Sequence, residues 1–228
     1  MRKLLKTFKS SPKYSIKWNN YFEIYENILH RFVNKKITLV EIGIGDGGSL
    51  FMWKKFFGKK ARIIGVELNP EAKKLEKFGF KIFIGDQSDP IFWKSFYKKV
   101  GKVDILIDDG GHTNLQQITS FMESLNHIKN DGVIIIEDTH TSYMDYKGFK
   151  NPSKNSFINF STNLIESIHR RNPMLKKKMN FISQKIHSIE YFDSIVLIKI
   201  SKKKLNYIKY LLNNKKFQTF FADFRFKR

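Results

Sequence analysis

Short apolar runs alternate with helix-like stretches along most of this chain. Five β-branched runs predict strands at residues 37–42, 62–66, 81–84, 103–107 and 133–136. Apolar residues recur at helical spacing at about 19–33, 49–57, 71–78, 89–99, 114–129 and 156–170. Strands that alternate with helices indicate parallel βαβ units, so the pattern predicts an α/β fold around a parallel sheet buried on both faces.

Turn residues mark the ends of several predicted elements. Asn69 and Asp89, each followed by proline, are helix-start signals, and the Asn-Asp-Gly sequence at 130–132 is expected to separate a helix from the next strand. After about residue 185 the pattern changes to two strand-like runs, 185–191 and 194–200, with no room for a helix between them. The sequence therefore predicts a terminal hairpin that places an antiparallel strand at one edge of the sheet.

Composition limits the class of protein. The 228 residues suffice for one α/β domain, and the absence of cysteine excludes disulfides, thiolate metal sites and a cysteine nucleophile. No apolar run is long enough to span a bilayer, and the basic N-terminus lacks the apolar core of a signal peptide, so we expect a cytoplasmic protein. We divide the chain into a basic helical segment (1–36), the main domain (37–200) and a basic, Phe-rich segment (201–228).

The formal net charge of +21 lies almost entirely in the two flanks of the chain. Such flanks attract anionic partners, and basic residues interleaved with aromatics are typical of RNA-binding segments. A lysine-rich coding bias accounts for the same residues. An RNA-binding protein or RNA methyltransferase is thus an alternative, but we do not expect nucleic acid as the partner.

A glycine-rich loop follows the first predicted strand. Gly43, Gly45 and Gly48 satisfy the G-x-G-x-x-G pattern, and Glu67 ends the second strand where a ribose hydroxyl would need an acceptor. Asp86 and Gln87 end the third strand at the same edge. These positions predict a nucleoside-binding crevice, although a tight structural turn and a helix-capping aspartate explain the same letters.

Both NAD and S-adenosylmethionine fit such a crevice. Glu41, two residues before Gly43, would suit the sulfonium and amino group of S-adenosylmethionine. The terminal hairpin is also typical of methyltransferase sheets. Both features favour S-adenosylmethionine.

Four carboxylates and two imidazoles follow the fourth and fifth predicted strands: Asp108, Asp109, Glu137, Asp138, His112 and His140. The carboxyl ends of adjacent parallel strands meet at one edge, about 4.8 Å apart. This much negative charge needs a cation, and a hard divalent ion with oxygen ligands is the simplest choice. Helix capping is the alternative interpretation, and His112, Asp138 and His140 also match an iron-binding two-histidine, one-carboxylate site.

Several of these motifs together resemble the metal-dependent sugar O-methyltransferases. They are the glycine stretch at 41–48, Glu67, the Gly-Asp-Gln turn at 85–87, IDDGGH at 107–112, IIIEDTHTSY at 134–143 and HSIEYFDSIVLIK at 187–199. The resemblance covers residues 17–200 and extends to macrolide-sugar enzymes of the macrocin and mycinamicin type, to relatives in bacterial polysaccharide clusters, and to relatives called cephalosporin hydroxylases. A non-heme iron oxygenase is therefore a second alternative.

The resemblance implies a Rossmann-like class I methyltransferase fold with seven strands, mostly parallel. It implies S-adenosylmethionine-binding roles for Glu41, Gly43, Gly45, Glu67, Asp86, Gln87 and Asp108. It also implies that Asp109, Glu137 and Asp138 bind a divalent cation, for which we expect Mg²⁺, and that His112 is the general base.

The expected reaction is methylation of a sugar or sugar-nucleotide hydroxyl. A cation that chelates neighbouring hydroxyls lowers their pKa, and His112 would take the proton. Thr141 and Tyr143 follow the acidic pair and are expected to line the acceptor pocket. The sequence leaves a homo-oligomer open.

Overall fold

The sheet is the framework of the molecule in the computed structural model, which describes residues 3–145, 154–209 and 211. Its strands are β1 Thr38–Ile42, β2 Arg62–Glu67, β3 Lys81–Ile84, β4 Val103–Asp108, β5 Ile128–Ile136, β6 Ile186–Phe192 and β7 Ile195–Ile200. They lie in the order β3-β2-β1-β4-β5-β7-β6. β1 to β5 are parallel, and β7 runs antiparallel to both β5 and β6.

Helices connect the strands. The α-helices are α1 Lys3–Lys9, α2 Tyr21–Leu29, α3 Gly48–Phe57, α4 Pro90–Val100, α5 Asn114–Leu125, α6 Phe157–His169 and α7 Phe181–Lys185. Short 3-10 segments occupy His30–Phe32, Pro70–Phe78, Thr139–Tyr143 and Pro173–Leu175. Among the described residues, no helix has the length and apolarity needed to cross a membrane.

Both faces of the sheet are buried, as the continuous apolar runs predict. Alternate residues of β5 divide between the two layers: Val133 and Ile135 face one, and Ile134 and Ile136 face the other. The first layer includes buried residues of α1, α2 and α3, and the second includes residues of α4, α5 and α6. The N-terminal helices therefore pack into the same core as the strands.

The α/β prediction and the terminal hairpin are confirmed, with two corrections. β7 inserts between β5 and β6, so the antiparallel strand is next to the edge and the edge strand itself is β6. The Asn-Asp-Gly sequence at 130–132 does not separate helix from strand, because β5 already begins at Ile128. The register of β4 and β5 shifts there, and Asp131 takes a left-handed φ of 63°.

Proline marks two helix starts as predicted. Asn69 and Asp89 cap their segments by accepting hydrogen bonds from the backbone N–H of Glu71 and Ile91. The first of these segments is 3-10 rather than α-helical. Of the predicted basic, Phe-rich segment at 201–228, residue 210 and residues 212–228 lie outside the described residues.

Candidate functional site

The glycine loop forms the floor of a crevice at the carboxyl edge of the parallel strands. Gly43 and Gly45 adopt positive φ values of 77° and 47°. A Cβ on Gly43 would lie 1.9 Å from the backbone oxygen of Asp109, so this position requires glycine for its close approach to the end of β4. A Cβ on Gly45 would meet nothing within 4 Å, because that residue borders open space.

Glu67 lies where the sequence predicts it, at the end of β2 and beside the glycine loop. Its carboxylate accepts hydrogen bonds from the backbone N–H of Gly45 at 3.1 Å and of Leu68 at 2.8 Å. Two adjoining cavities of about 430 Å³ and 350 Å³ share Gly43, Gly45, Glu67 and Asp109 in their walls. The structure therefore brings the glycine loop and Glu67 together around one crevice.

Gln87, which lines the smaller cavity, and Asp108 form a buried hydrogen-bonded network at the crevice. Gln87 Nε2 donates to Asp108 Oδ1 at 2.9 Å, and Gln87 Oε1 accepts from the backbone N–H of Gly111 at 2.9 Å. Ser120 also donates to Asp108, whose pKa is raised by burial. Asp86 is exposed on the wall of the smaller cavity and accepts from Ser88. This network fixes the turn that carries the Gly-Gly pair.

Glu41 lies beneath the crevice rather than in it. It is fully buried, and its carboxylate accepts from Ser49 Oγ at 2.6 Å and from Trp53 Nε1 at 3.0 Å. It does not line either cavity of the crevice. In this arrangement Glu41 supports the glycine loop and the start of α3.

Asp109, His112 and Asp138 converge at the rim of the crevice. One potential ligand atom from each lies within 4.8 Å of the others. His112 Nε2 lies 3.3 Å from Asp138 Oδ2 and 3.8 Å from Asp109 Oδ1. His112 and Asp138 both take left-handed backbone conformations, with φ of 58° and 52°, which are uncommon for non-glycine residues and often mark functional sites.

Glu137 is positioned differently from its neighbours. Its side chain is buried, and both of its oxygens lie 2.9 Å from Lys17 Nζ. Lys17 also donates to Asp109 Oδ2 at 2.6 Å and lies 3.5 Å from Glu41 Oε1. Lys17 is therefore a buried cation inside the acidic cluster, and the sequence analysis missed it.

The pKa values follow from burial and charge. Burial raises the pKa of Asp109 and of Glu137, and for Glu137 the charge of Asp109 adds to the effect. Burial by itself would lower the pKa of Lys17, but Asp109, Glu137 and Glu41 together raise it well above its usual value. The Lys17 ammonium therefore stays charged.

Two aromatic residues, which the sequence-based prediction did not identify, form hydrogen bonds with Asp138. Tyr21 OH donates to Asp138 Oδ1 at 2.6 Å and accepts from the Asp138 backbone N–H at 3.1 Å, and Trp18 Nε1 lies 3.1 Å from the same Oδ1. One sequence signal marks the segment: from Tyr14 to Trp18, the apolar residues alternate with Ser15 and Lys17. Tyr14, Ile16 and Trp18 are exposed, and Lys17 points inward.

The residues that follow Glu137 and Asp138 differ in their exposure and contacts. Thr141 is buried, and its hydroxyl donates to the backbone oxygens of His112 and Asp138, so it braces the site rather than lining a pocket. Tyr143 is 65% exposed. His140 Nδ1 lies 2.7 Å from Ser194 Oγ, and His140 is not part of the group formed by Asp109, His112 and Asp138.

A larger cavity of about 1080 Å³ lies elsewhere, between α2 and the β6–β7 hairpin. None of the predicted site residues lines it. Volume alone therefore does not locate the chemistry, and the convergence of ionisable groups identifies the crevice as the candidate active site.

Comparison with known proteins shows relatives of one chemical type. The chain is 30% identical over 165 residues to the 8-demethyl-8-alpha-L-rhamnosyl tetracenomycin-C 2'-O-methyltransferase of Streptomyces olivaceus. These aligned residues make up 68% of this chain and 43% of that protein. It is 32% identical over 167 residues to the demethylmacrocin O-methyltransferase of Streptomyces fradiae, covering 69% of this chain and 41% of that protein. No family model matches. The chain thus spans less than half the length of these curated relatives.

A solved structure shares the fold. The MycE methyltransferase from the mycinamycin biosynthetic pathway, in complex with Mg, SAH and mycinamycin VI, superposes with a TM-score of 0.77 at 23% identity. The match covers 94% of this chain and 57% of that one. The Rossmann-like methyltransferase fold is confirmed, as is the resemblance to sugar O-methyltransferases.

Proposed function

We propose that this chain, whose homologues are sugar O-methyltransferases, is itself an S-adenosylmethionine-dependent, divalent-metal-assisted O-methyltransferase acting on a sugar hydroxyl. One observation carries the proposal: Asp109 lines the glycine-loop crevice and also forms, with His112 and Asp138, a group of potential metal ligands. A methyl donor in the crevice and an acceptor at the three side chains would then be neighbours.

The crevice suits S-adenosylmethionine. Glu67 borders both of its cavities and has the carboxylate that a ribose diol requires, and Asp86 stands exposed on the wall of the smaller cavity. Gln87 lines the smaller cavity and, together with the buried Asp108, fixes the Gly110–Gly111 turn. Gly45 borders open space and gives the ligand access to the backbone, whereas Gly43 lets the loop approach the end of β4.

The acidic rim fits a hard divalent cation such as Mg²⁺. Asp109 and Asp138 supply carboxylate oxygens, the ligands that Mg²⁺ prefers. In each of these side chains one oxygen accepts a hydrogen bond from the protein, and the other lies near His112. The resemblance also makes Glu137 a ligand, and this assignment stays a prediction. A bound cation would supply positive charge that makes a sugar hydroxyl a stronger acid.

His112 is placed to take the proton of the acceptor hydroxyl. Its Nε2 lies on the side of Asp109 and Asp138, and its backbone oxygen is fixed by the Thr141 hydroxyl. Bound S-adenosylmethionine would supply a methyl group on a cationic sulfur that can leave as a neutral thioether. His112 would accept the proton that the acceptor hydroxyl loses when it takes up the methyl group. Positioning of donor and acceptor supplies the rest of the acceleration.

The rim also offers a surface for a sugar. Trp18 is 59% exposed beside Asp138, and its indole presents an apolar face next to polar groups, which suits the mixed surface of a sugar ring. Tyr143 is exposed on the segment that follows Asp138. We infer that the acceptor is a sugar, free, nucleotide-linked or attached to a larger metabolite or polysaccharide.

Two variants separate the donor site from the acceptor site. Asp109→Asn should abolish methyl transfer from labelled S-adenosylmethionine to a panel of rhamnosides and sugar nucleotides, and should leave the affinity for S-adenosylhomocysteine nearly intact. Glu67→Ala should weaken S-adenosylhomocysteine binding and spare Mg²⁺ binding, both measured by calorimetry. Affinity for NAD without affinity for S-adenosylhomocysteine would refute the donor assignment. Wild-type transfer that is unaffected by EDTA would refute the metal-assisted mechanism.

A further inference from the structure

The position of Lys17 leads to an inference that rests on the proposed function. We propose that Lys17 is a positioning residue that pairs with Glu137 and thereby limits the carboxylate ligands of the metal to Asp109 and Asp138. Lys17 would be a permanent internal cation beside an exchangeable one. It would set both the composition of the site and its affinity for metal.

The contacts of Glu137 are the first step. Both Glu137 oxygens lie 2.9 Å from Lys17 Nζ, and both side chains are about 1% exposed. A carboxylate oxygen binds Mg²⁺ at about 2.0–2.1 Å. To do so, Glu137 would have to surrender contact with a buried ammonium that no water can reach. Breaking a buried pair in this way is strongly unfavourable, so Glu137 acts as the counterion of Lys17.

Lys17 is also fixed through its backbone segment. On one side, the Tyr14 backbone oxygen accepts from the Gly48 backbone N–H at 3.1 Å. On the other, Trp18 Nε1 donates to Asp138 Oδ1. Because the segment is held at both ends of this short stretch, the ammonium is directed into the acidic cluster.

The carboxylates on either side of the metal position are then oriented in a consistent way. Lys17 donates a hydrogen bond to Asp109 Oδ2, and Tyr21 and Trp18 donate to Asp138 Oδ1. The remaining oxygens, Asp109 Oδ1 and Asp138 Oδ2, are those nearest His112 Nε2. Lys17 thus directs one oxygen of Asp109 toward the shared space and withdraws Glu137 from it.

The test compares three variants by calorimetric titration with Mg²⁺ alone and by thermal unfolding without metal. Lys17→Met should bind Mg²⁺ about tenfold or more tightly, because affinity follows the charge of the ligand set, and should unfold at lower temperature when metal-free. Lys17→Met combined with Glu137→Gln removes the pair as a neutral unit. It should return the Mg²⁺ affinity to within about threefold of wild type and recover much of the lost stability.

Two further variants make the result decisive. Glu137→Gln alone should weaken Mg²⁺ binding by less than about tenfold, whereas Asp138→Asn should remove it. Lys13→Met, an exposed lysine of the same segment, should change neither measurement. If Lys17→Met is too unstable for titration, the double variant still decides the question.

The inference is overturned if the double variant binds Mg²⁺ more than about tenfold more weakly than wild type, since Glu137 is then a ligand. It is also overturned if Lys17→Met leaves the affinity unchanged. Either result with intact S-adenosylhomocysteine binding and EDTA-sensitive transfer would leave the proposed function standing. No Mg²⁺ binding in any variant would refute both this inference and the metal-assisted mechanism.

Discussion

The hydroxyl of Tyr21 should contribute measurably to stability, because it holds a carboxylate in an uncommon backbone conformation. Tyr21 is 1% exposed and donates to Asp138 Oδ1 at 2.6 Å, while Asp138 sits at a φ of 52°. Tyr21→Phe removes only the oxygen and keeps the ring in its packed position. The change therefore isolates the hydrogen bonds from the apolar contacts.

The expected magnitude follows from the partner of the hydroxyl. A hydrogen bond to a charged group contributes about 1.5–3 kcal/mol. The Asp138 side chain is 20% exposed, so water can replace part of the lost bond, and the loss should lie near the lower end, about 1.5–2 kcal/mol. For a chain of this size that is a fall in Tm of about 3–8 °C.

The assay is metal-free unfolding in urea followed by circular dichroism, with the slope of the transition compared between variants. Tyr14→Phe is the matched control, since Tyr14 is 66% exposed on the same side of the site and should change stability by less than about 0.5 kcal/mol. A loss below about 0.5 kcal/mol for Tyr21→Phe, or an equal loss in the control, would show that Asp138 does not depend on this hydroxyl.

Three further predictions test other parts of the site and fold. Gly43→Ala should abolish S-adenosylhomocysteine binding in calorimetry, because its Cβ would lie 1.9 Å from the Asp109 backbone oxygen at a φ of +77°; retained affinity would show that the loop can shift. His112→Ala should lower turnover by about 10²- to 10⁴-fold while Mg²⁺ still binds, and higher pH should restore part of the rate because hydroxide can take the proton; full activity would remove His112 as the base. Burial and nearby Lys102 lower the pKa of Lys185 to about 8 in the folded protein, whereas in the unfolded chain this pKa is near 10.4. Between pH 8 and pH 10.4 the unfolded chain therefore binds more protons than the folded protein, and the free energy of unfolding rises with pH. Lys185→Met should therefore be more stable than wild type at pH 7, by less than about 1 kcal/mol because the side chain is half exposed, and the difference should shrink above pH 8; a difference that is constant from pH 7 to 10 would contradict the assignment.

Local sequence patterns were sufficient for most of the framework. β-branched runs bounded by turns predicted the parallel strands within a few residues, because a strand buried on both faces needs a continuous apolar run. The places where Glu67, Asp109 and Asp138 lie followed from topology alone, since the ends of parallel strands share one edge. The predicted start of β5 was wrong, however, because Ile128 already pairs with Val103 of β4. The register then shifts before Val133, so the turn-like Asn-Asp-Gly sequence becomes part of an irregular strand.

Within the candidate site, the sequence by itself determined which acidic groups meet, and the tertiary structure decided what each of them contacts. The positions of the carboxylates at adjacent strand ends predicted that the cluster needs a cation, but not that a lysine supplies one. Lys17 is 92 residues from Asp109 and 120 from Glu137 along the chain. Tyr21 is likewise 117 residues from Asp138. Such pairs have no periodicity that a sequence pattern could reveal, because they form only when the N-terminal segment packs across the carboxyl edge of the sheet and buries the Lys17 ammonium.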